Sequence, residues 1–94
     1  MFELRSTAEF DDWLGRADEQ VRKRVLVRLT RAELGNFGDH KMFGAIGEMR
    51  IDFGPGYRVY FTMRQLKIVM LLCAGNKASQ QRDIATALRL ADKL

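Results

Sequence analysis

The chain has 94 residues, of which 47% are hydrophobic and 30% are charged. This size predicts a single domain over residues 1–94, and the longest apolar stretch, residues 68–74, is far shorter than the roughly 20 residues that a membrane span requires. Because the N-terminus also lacks a basic segment followed by an apolar signal region, we expect a cytoplasmic protein without membrane contact. The formal net charge of +4 at pH 7 favours a polyanionic partner.

The first half of the chain predicts a strand and a helix hairpin. Residues 1–5 can form the strand, and Ser6 with Glu9 has the spacing of a capping box that begins a helix. A second helix follows the polar break at residues 18–19 and ends near Gly35. The apolar residues of the two helices recur at the spacing of one helical face, which predicts that they are core residues: Phe10, Trp13, Leu14, Ala17, Val21, Val25, Leu29 and Ala32.

The second half predicts three consecutive strands and a final helix capped by Ser79, after a turn-rich connection at residues 36–41. The third of these strands, residues 67–73, is apolar at nearly every position, so it should be central and covered on both faces. The predicted fold is α+β, in the order β-α-α-β-β-β-α, with an antiparallel meander packed against the helix hairpin.

The hairpin of residues 47–61 is the most informative segment, because its alternation separates polar from apolar side chains. Met49 and Ile51 point to the core, whereas Arg50 in the first strand and Arg58 and Tyr60 in the second share the other face. A polar sheet face that carries cations favours a phosphate-rich partner. Residues 54–56, Gly-Pro-Gly, provide the turn.

Five segments carry a family resemblance: residues 9–14, 33–39, 47–61, 71–77 and 79–84, of which the hairpin and the last two are the most specific. With them, almost the whole chain resembles the RelE/ParE superfamily of bacterial toxins, especially the HigB-like addiction-module killer proteins. The resemblance implies a toxin that a cognate helix-turn-helix antitoxin neutralises. In the RelE and HigB branches the implied activity is ribosome-dependent mRNA cleavage, which inhibits translation, with the ribosome and mRNA as partners.

Two alternatives remain open on the same fold, because fold alone does not determine function. The ParE branch of the superfamily inhibits DNA gyrase, so a gyrase-directed toxin is the first. A catalytically inactive, phage-derived binding module is the second. Related ribonucleases commonly carry a tyrosine or histidine near the C-terminal end, and this chain has neither beyond Lys77.

Cleavage of RNA by its own 2′-hydroxyl requires a base, cations at the phosphate and a proton donor for the leaving oxygen. In the resemblance, Arg58 stabilises the phosphate, because a guanidinium can hold two oxygens, and Arg50 is its partner across the hairpin. Lys77 lies where related toxins carry a basic active-site group. Tyr60 completes the catalytic candidates, since it shares the face of Arg58 and can stack on a base or donate a proton.

Further cations could bind RNA. Arg82 begins the final helix, and Arg24, Arg28 and Arg31 fall within one arc of the second helix, where they fit either a phosphate-binding surface or a solvated helix face. His40, the only histidine, is a further acid/base candidate.

Asp83 is a second acid/base candidate, although an aspartate in a helix's first turn is favourable without any catalytic role. No spacing of Cys, His and acidic residues indicates a metal, and residues 54–56 lack the context of a nucleotide-binding loop, so we expect no cofactor. The single cysteine, Cys73, lies in an apolar segment that predicts a buried structural thiol.

Overall fold

Three helices cover the two faces of one five-stranded sheet in the computed structural model, which describes residues 1–94. The strands are β1 (Glu3–Ser6), β2 (His40–Phe43), β3 (Ile46–Ile51), β4 (Tyr57–Arg64) and β5 (Ile68–Asn76). The helices are α1 (Ala8–Arg16), α2 (Glu19–Glu33) and α3 (Gln80–Asp92), and a 3₁₀ turn, Lys77–Ser79, precedes α3. None of the three helices has the length and apolar character needed to cross a membrane.

The sheet has the spatial order β1-β5-β4-β3-β2. Strands β2 to β5 form the antiparallel meander, which confirms that part of the prediction, but β1 pairs with β5 in parallel, so the sheet is mixed. The predicted order also lacked one strand, since β2 lies partly within the segment predicted as a turn-rich connection. As an edge strand with three exposed residues, β2 carries too little apolar alternation to be recognised in the sequence.

The larger core lies between the sheet and the helix hairpin. Phe10 from α1 and the four predicted apolar residues of α2 are buried there against Met49, Val59 and Phe61 of the sheet. Trp13 packs only partly against this core. The amphipathic pattern therefore identified the correct faces of α1 and α2, while it overstated the burial of Trp13.

A second core lies on the opposite face, under α3. It is formed by residues of β3, β4, β5 and α3: Ile46, Tyr60, Leu72, Cys73 and Ala87. Strand β5 is thus covered on both faces, as predicted, and Cys73 is a buried thiol. Because α3 packs on this part of the sheet, Tyr60 is buried, and the prediction that it can stack on a base is wrong.

Thr7 replaces Ser6 as the cap of α1, whereas Ser79 occupies the predicted N-cap position of α3 without a capping hydrogen bond from its side chain. Thr7 caps α1, accepting a hydrogen bond from the Phe10 amide at 3.0 Å, because Ser6 is still paired with Leu71 in the sheet. Asn76 caps the 3₁₀ turn before α3, and its side-chain oxygen accepts from the backbone amides of the two residues that end that turn. Each strand therefore continues further than predicted, and the residue that leaves the sheet provides the cap.

Gly47 lies directly opposite Phe61 in the β3–β4 pair, and a Cβ at Gly47 would be 2.4 Å from the Phe61 ring. The ring cannot move away easily, since it is 2% exposed and stacks on Phe37 with ring centroids 5.1 Å apart. The fold therefore depends on a glycine at this position.

We expect Gly47→Ala to lower the free energy of unfolding by about 1–3 kcal/mol, the usual cost of overpacking a core. The matched control is Gly15→Ala, because no heavy atom lies within 4 Å of a Cβ built at Gly15 in α1. Alanine is a better helix former than glycine, so this control substitution should be neutral or slightly stabilising. Urea unfolding of the two variants measures the difference, and equal stabilities would contradict the packing constraint.

Candidate functional site

The β3–β4 hairpin brings two arginines together at one end of the sheet. Gly54 and Gly56 adopt φ values of +56° and +81°, which glycine tolerates best, and the chain reverses within this short turn. The resulting register makes Arg50 and Arg58 direct Cα partners. This confirms the predicted pairing across the hairpin. Two like charges opposite each other destabilise a sheet unless an anion compensates them.

A third cation joins the pair from the end of β5. Arg58 also pairs with Gly75 in the sheet, and Lys77 follows two residues later at the start of the 3₁₀ turn. Arg50, Arg58 and Lys77 line one cleft of about 290 Å³, together with Tyr57 and Asp39. We call this the cationic cleft.

The buried carboxylate of Glu48 holds Arg58 in the cationic cleft. The Nε of Arg58 lies 3.6 Å from Oε2 of Glu48, and one terminal nitrogen donates to the Gly56 carbonyl at 3.2 Å. The side chain of Arg58 is 13% exposed and that of Glu48 is 1% exposed. The ion pair is thus almost completely desolvated, which makes its attraction strong and its disruption costly.

Glu48 is tied to the core from two further directions. Its Oε2 accepts hydrogen bonds from the Tyr60 hydroxyl and from the side-chain amide of Gln80 in α3, each at 3.0 Å. Its Oε1 is buried without a partner. Glu48 is a site residue that the sequence prediction missed, although its place on the face of Arg58 and Tyr60 was the available signal.

Tyr60 is fully buried and cannot stack on a base in this position. Burial, the charge of Glu48 and the hydrogen bond to Glu48 together raise the pKa of its hydroxyl well above the usual range. Tyr60 therefore stays protonated and donates to Glu48, so its position corrects the prediction of an exposed aromatic beside Arg58.

Arg50 reaches the rim of the cationic cleft. One of its terminal nitrogens donates to Oδ1 of Asp39 at 3.1 Å, while its Nε is buried without a partner. The Asp39 side chain is mostly exposed, so this ion pair is weaker than the one between Arg58 and Glu48.

Arg82 and Asp83 line a neighbouring cleft of about 800 Å³, which shares Tyr57 and Lys77 with the cationic cleft. The Arg82 side chain is 80% exposed. Asp83 accepts a hydrogen bond from the Ser79 hydroxyl and packs on the backbone at Gly75. The two residues are therefore beside the three cations and not among them.

His40 is not brought to the cationic cleft. It pairs with Met49, whose side chain belongs to the core under α1 and α2, so by strand alternation His40 lies on the face opposite Arg50. Its ring packs on Phe37 with centroids 5.7 Å apart, and its Nδ1 lies 2.8 Å from the Gly38 carbonyl oxygen. The position of His40 argues against the predicted acid/base role.

Three of the four arginines of α2, namely Arg24, Arg28 and Arg31, line a separate groove of about 580 Å³ beside the end of β3. Arg28 donates to the backbone carbonyls of Phe37, Asp39 and Arg50, and burial lowers the pKa of its guanidinium. Because these bonds occupy its guanidinium, Arg28 organises the chain before β2 and is not a free phosphate ligand. Arg24 lies over the Phe53 ring at 4.4 Å, and Arg31 is exposed.

Comparison with known proteins identifies related sequences and folds. The family model described as phage-derived protein Gp49-like matches residues 12–94. An uncharacterized protein of Haemophilus influenzae is 39% identical over 94 residues, which cover 98% of this chain and 95% of that relative.

Two solved structures share the fold. The toxin–antitoxin complex RelBE of E. coli matches with a TM-score of 0.66 and 15% identity, covering 81% of this chain and 96% of that chain. The isolated RelE toxin of E. coli matches with a TM-score of 0.69 and 12% identity, covering 90% of this chain and 98% of that chain. These matches confirm the predicted RelE-like α+β fold.

Removing Glu48 should destabilise the protein far more than removing Asp39. We expect Glu48→Ala to lower the free energy of unfolding by about 3–5 kcal/mol, because it leaves Arg58 as a buried charge without its partner. Asp39→Ala is the matched control, since it breaks an exposed arginine–carboxylate pair and should cost about 1 kcal/mol or less. Urea unfolding gives both values, and similar losses for the two variants would contradict the assigned role of Glu48.

Proposed function

The chain belongs to the phage-derived Gp49-like family. We propose that it is the toxin of a toxin–antitoxin pair. Its fold is that of a protein described as a toxin, both alone and in a toxin–antitoxin complex. We further propose that it acts as a HigB-like endoribonuclease that cleaves translated mRNA on the ribosome. The observation that best supports this proposal is the cationic cleft, where three cations converge at the end of the hairpin.

Arg58 is the central group of the proposed reaction. A phosphate in the cleft can receive two parallel hydrogen bonds from its guanidinium, and charge develops on the phosphate oxygens as the 2′-hydroxyl attacks. Because Glu48 holds Arg58 from below, the guanidinium needs little reorganisation when that charge appears. Arg58 therefore stabilises the transition state, and Glu48 acts as a positioning residue.

Arg50 and Lys77 have supporting roles in this proposal. Both line the cleft, so they bind the phosphates of the RNA strand on either side of Arg58. Lys77 is exposed, and its side chain ends in an ammonium group with three N–H donors, so it is the candidate proton donor to the leaving 5′ oxygen. Asp39 and Asp52 are the two carboxylates that line the cleft, so we assign the acceptance of the 2′-hydroxyl proton to this pair.

The proposed antitoxin neutralises the charge of this surface. An acidic amphipathic segment would complement the exposed Arg24 and Arg31 of the groove beside α2, and that groove shares Ile51 and Asp52 with the cationic cleft. One bound segment could therefore lie in the groove and cover the cleft at the same time. The proposed arrangement makes antitoxin binding and RNA binding mutually exclusive.

The direct test is mRNA cleavage in a purified translation system. We expect the wild-type protein to cut a defined mRNA only when ribosomes translate it, and Arg58→Ala to slow the cut by about 100-fold or more, as the loss of a charge-stabilising donor does elsewhere. Arg89→Ala is the matched control, because Arg89 is an exposed arginine of α3 outside both clefts, and it should leave the rate unchanged.

An equal rate for Arg58→Ala at equal soluble concentration would remove Arg58 from the mechanism. If the wild type leaves the mRNA intact but causes gyrase-dependent DNA breaks, the gyrase-directed alternative replaces the ribonuclease. If strong expression has no effect on growth, the inactive binding module replaces both.

A further inference from the structure

The larger cleft beside the cationic cleft has the size and the lining of a ligand site. Its volume of about 800 Å³ falls within the roughly 300–1,000 Å³ usual for small-molecule sites. One side is formed by Trp13 of α1 and Tyr57 of β4, and the other by polar residues that end β5 and begin α3. The proposed phosphate chemistry at Arg58 does not use this space.

Trp13 and Tyr57 form an aromatic corner at its edge. Their ring centroids lie 6.2 Å apart with an interplanar angle of 64°, so a flat group that stacks on one ring meets the edge of the other. Both residues are half-buried, which fixes the rings while part of each remains accessible. By strand alternation Tyr57 packs on the side of α1 and α2, but it also lines the cationic cleft, so the corner lies at the end of the sheet beside Arg58.

The opposite wall carries hydrogen-bonding and cationic groups. Asn76 uses its side-chain oxygen in the cap of the 3₁₀ turn, which leaves its amide nitrogen as a donor, and Gln81 is exposed. Lys77 belongs to both clefts, and Arg82 is 80% exposed at the far side. Aromatic rings beside a cationic track are the combination by which proteins bind single-stranded nucleic acid.

We propose that the corner of Trp13 and Tyr57 stacks one unpaired base of a single-stranded RNA whose phosphate lies at Arg58. The larger cleft is then the subsite for a nucleotide next to the phosphate in the cationic cleft. This inference rests on the proposed function for the identity of the strand. The shared residues Tyr57 and Lys77 connect the base to the backbone, and duplex RNA is excluded because its bases are stacked and paired.

The fluorescence of Trp13 reports on this site directly, because Trp13 is the only tryptophan of the chain. The probe is a short oligoadenylate with 2′-O-methyl sugars. This strand can bind, but it cannot be cut because it has no 2′-hydroxyl. We expect this oligonucleotide to quench the fluorescence of Trp13, and we expect the quenching to saturate as the oligonucleotide concentration rises. An abasic strand with the same number of phosphates should bind more weakly and leave the fluorescence unchanged.

Variants separate stacking from charge. We expect Tyr57→Leu to weaken binding of the base-bearing strand by about tenfold, within the range caused by loss of one base stack, and to leave binding of the abasic strand unchanged. Tyr57→Phe retains the ring and should keep the wild-type affinity. Phe43→Leu is the matched control, since Phe43 is a half-buried aromatic of β2 that lines neither cleft.

The two strands compared on the wild-type protein give a result that does not depend on how a variant folds. Equal binding of the base-bearing and abasic strands, without quenching, would overturn the base subsite even if ribosome-dependent cleavage is observed. Base-dependent quenching in the absence of any cleavage would support the subsite and remove the ribonuclease. The two proposals can therefore fail separately.

Discussion

The buried ion pair between Glu48 and Arg58 joins the sheet and the final helix to the cationic cleft. A carboxylate that is 1% exposed needs compensation, and Glu48 obtains it from three side chains on two elements: Arg58 and Tyr60 of β4, and Gln80 of α3. The sheet, the final helix and the proposed phosphate ligand are thus connected through one side chain. A hydrophobic residue could fill the same space at lower cost, so the pair is better explained by the placement of Arg58 than by stability.

The same ion pair explains the electrostatics of the site. Arg50 and Arg58 face each other across the hairpin, and Lys77 adds a third positive charge to a cleft of about 290 Å³. Glu48 compensates Arg58 from inside the protein, and Asp39 compensates Arg50 at the surface, but Lys77 has no ion-pair partner. The arrangement favours occupation by an anion, and both the proposed RNA phosphate and the proposed acidic antitoxin segment would meet this requirement.

Much of the fold follows from the sequence, because periodicity reports which side of an element is buried. It identified the faces of α1 and α2, the hairpin and the opposition of Arg50 and Arg58. It could not show that α3 covers the polar face of the hairpin, since the burial of Glu48 and Tyr60 depends on a contact with Gln80, 32 residues from Glu48 in the chain. For the same reason the pattern led to the prediction that Tyr60 can stack on a base. The parallel pairing of β1 with β5 likewise depends on residues distant in sequence.

A map of mRNA 5′ ends in cells, after brief induction of the wild-type protein and of Arg58→Ala without any co-expressed antitoxin, tests the proposed ribonuclease site directly. We expect new ends within translated codons for the wild type and their loss in the variant at equal soluble expression. Growth arrest by the wild type without such ends, or ends that persist in the variant, would contradict the assignment of the cationic cleft as a ribonuclease site.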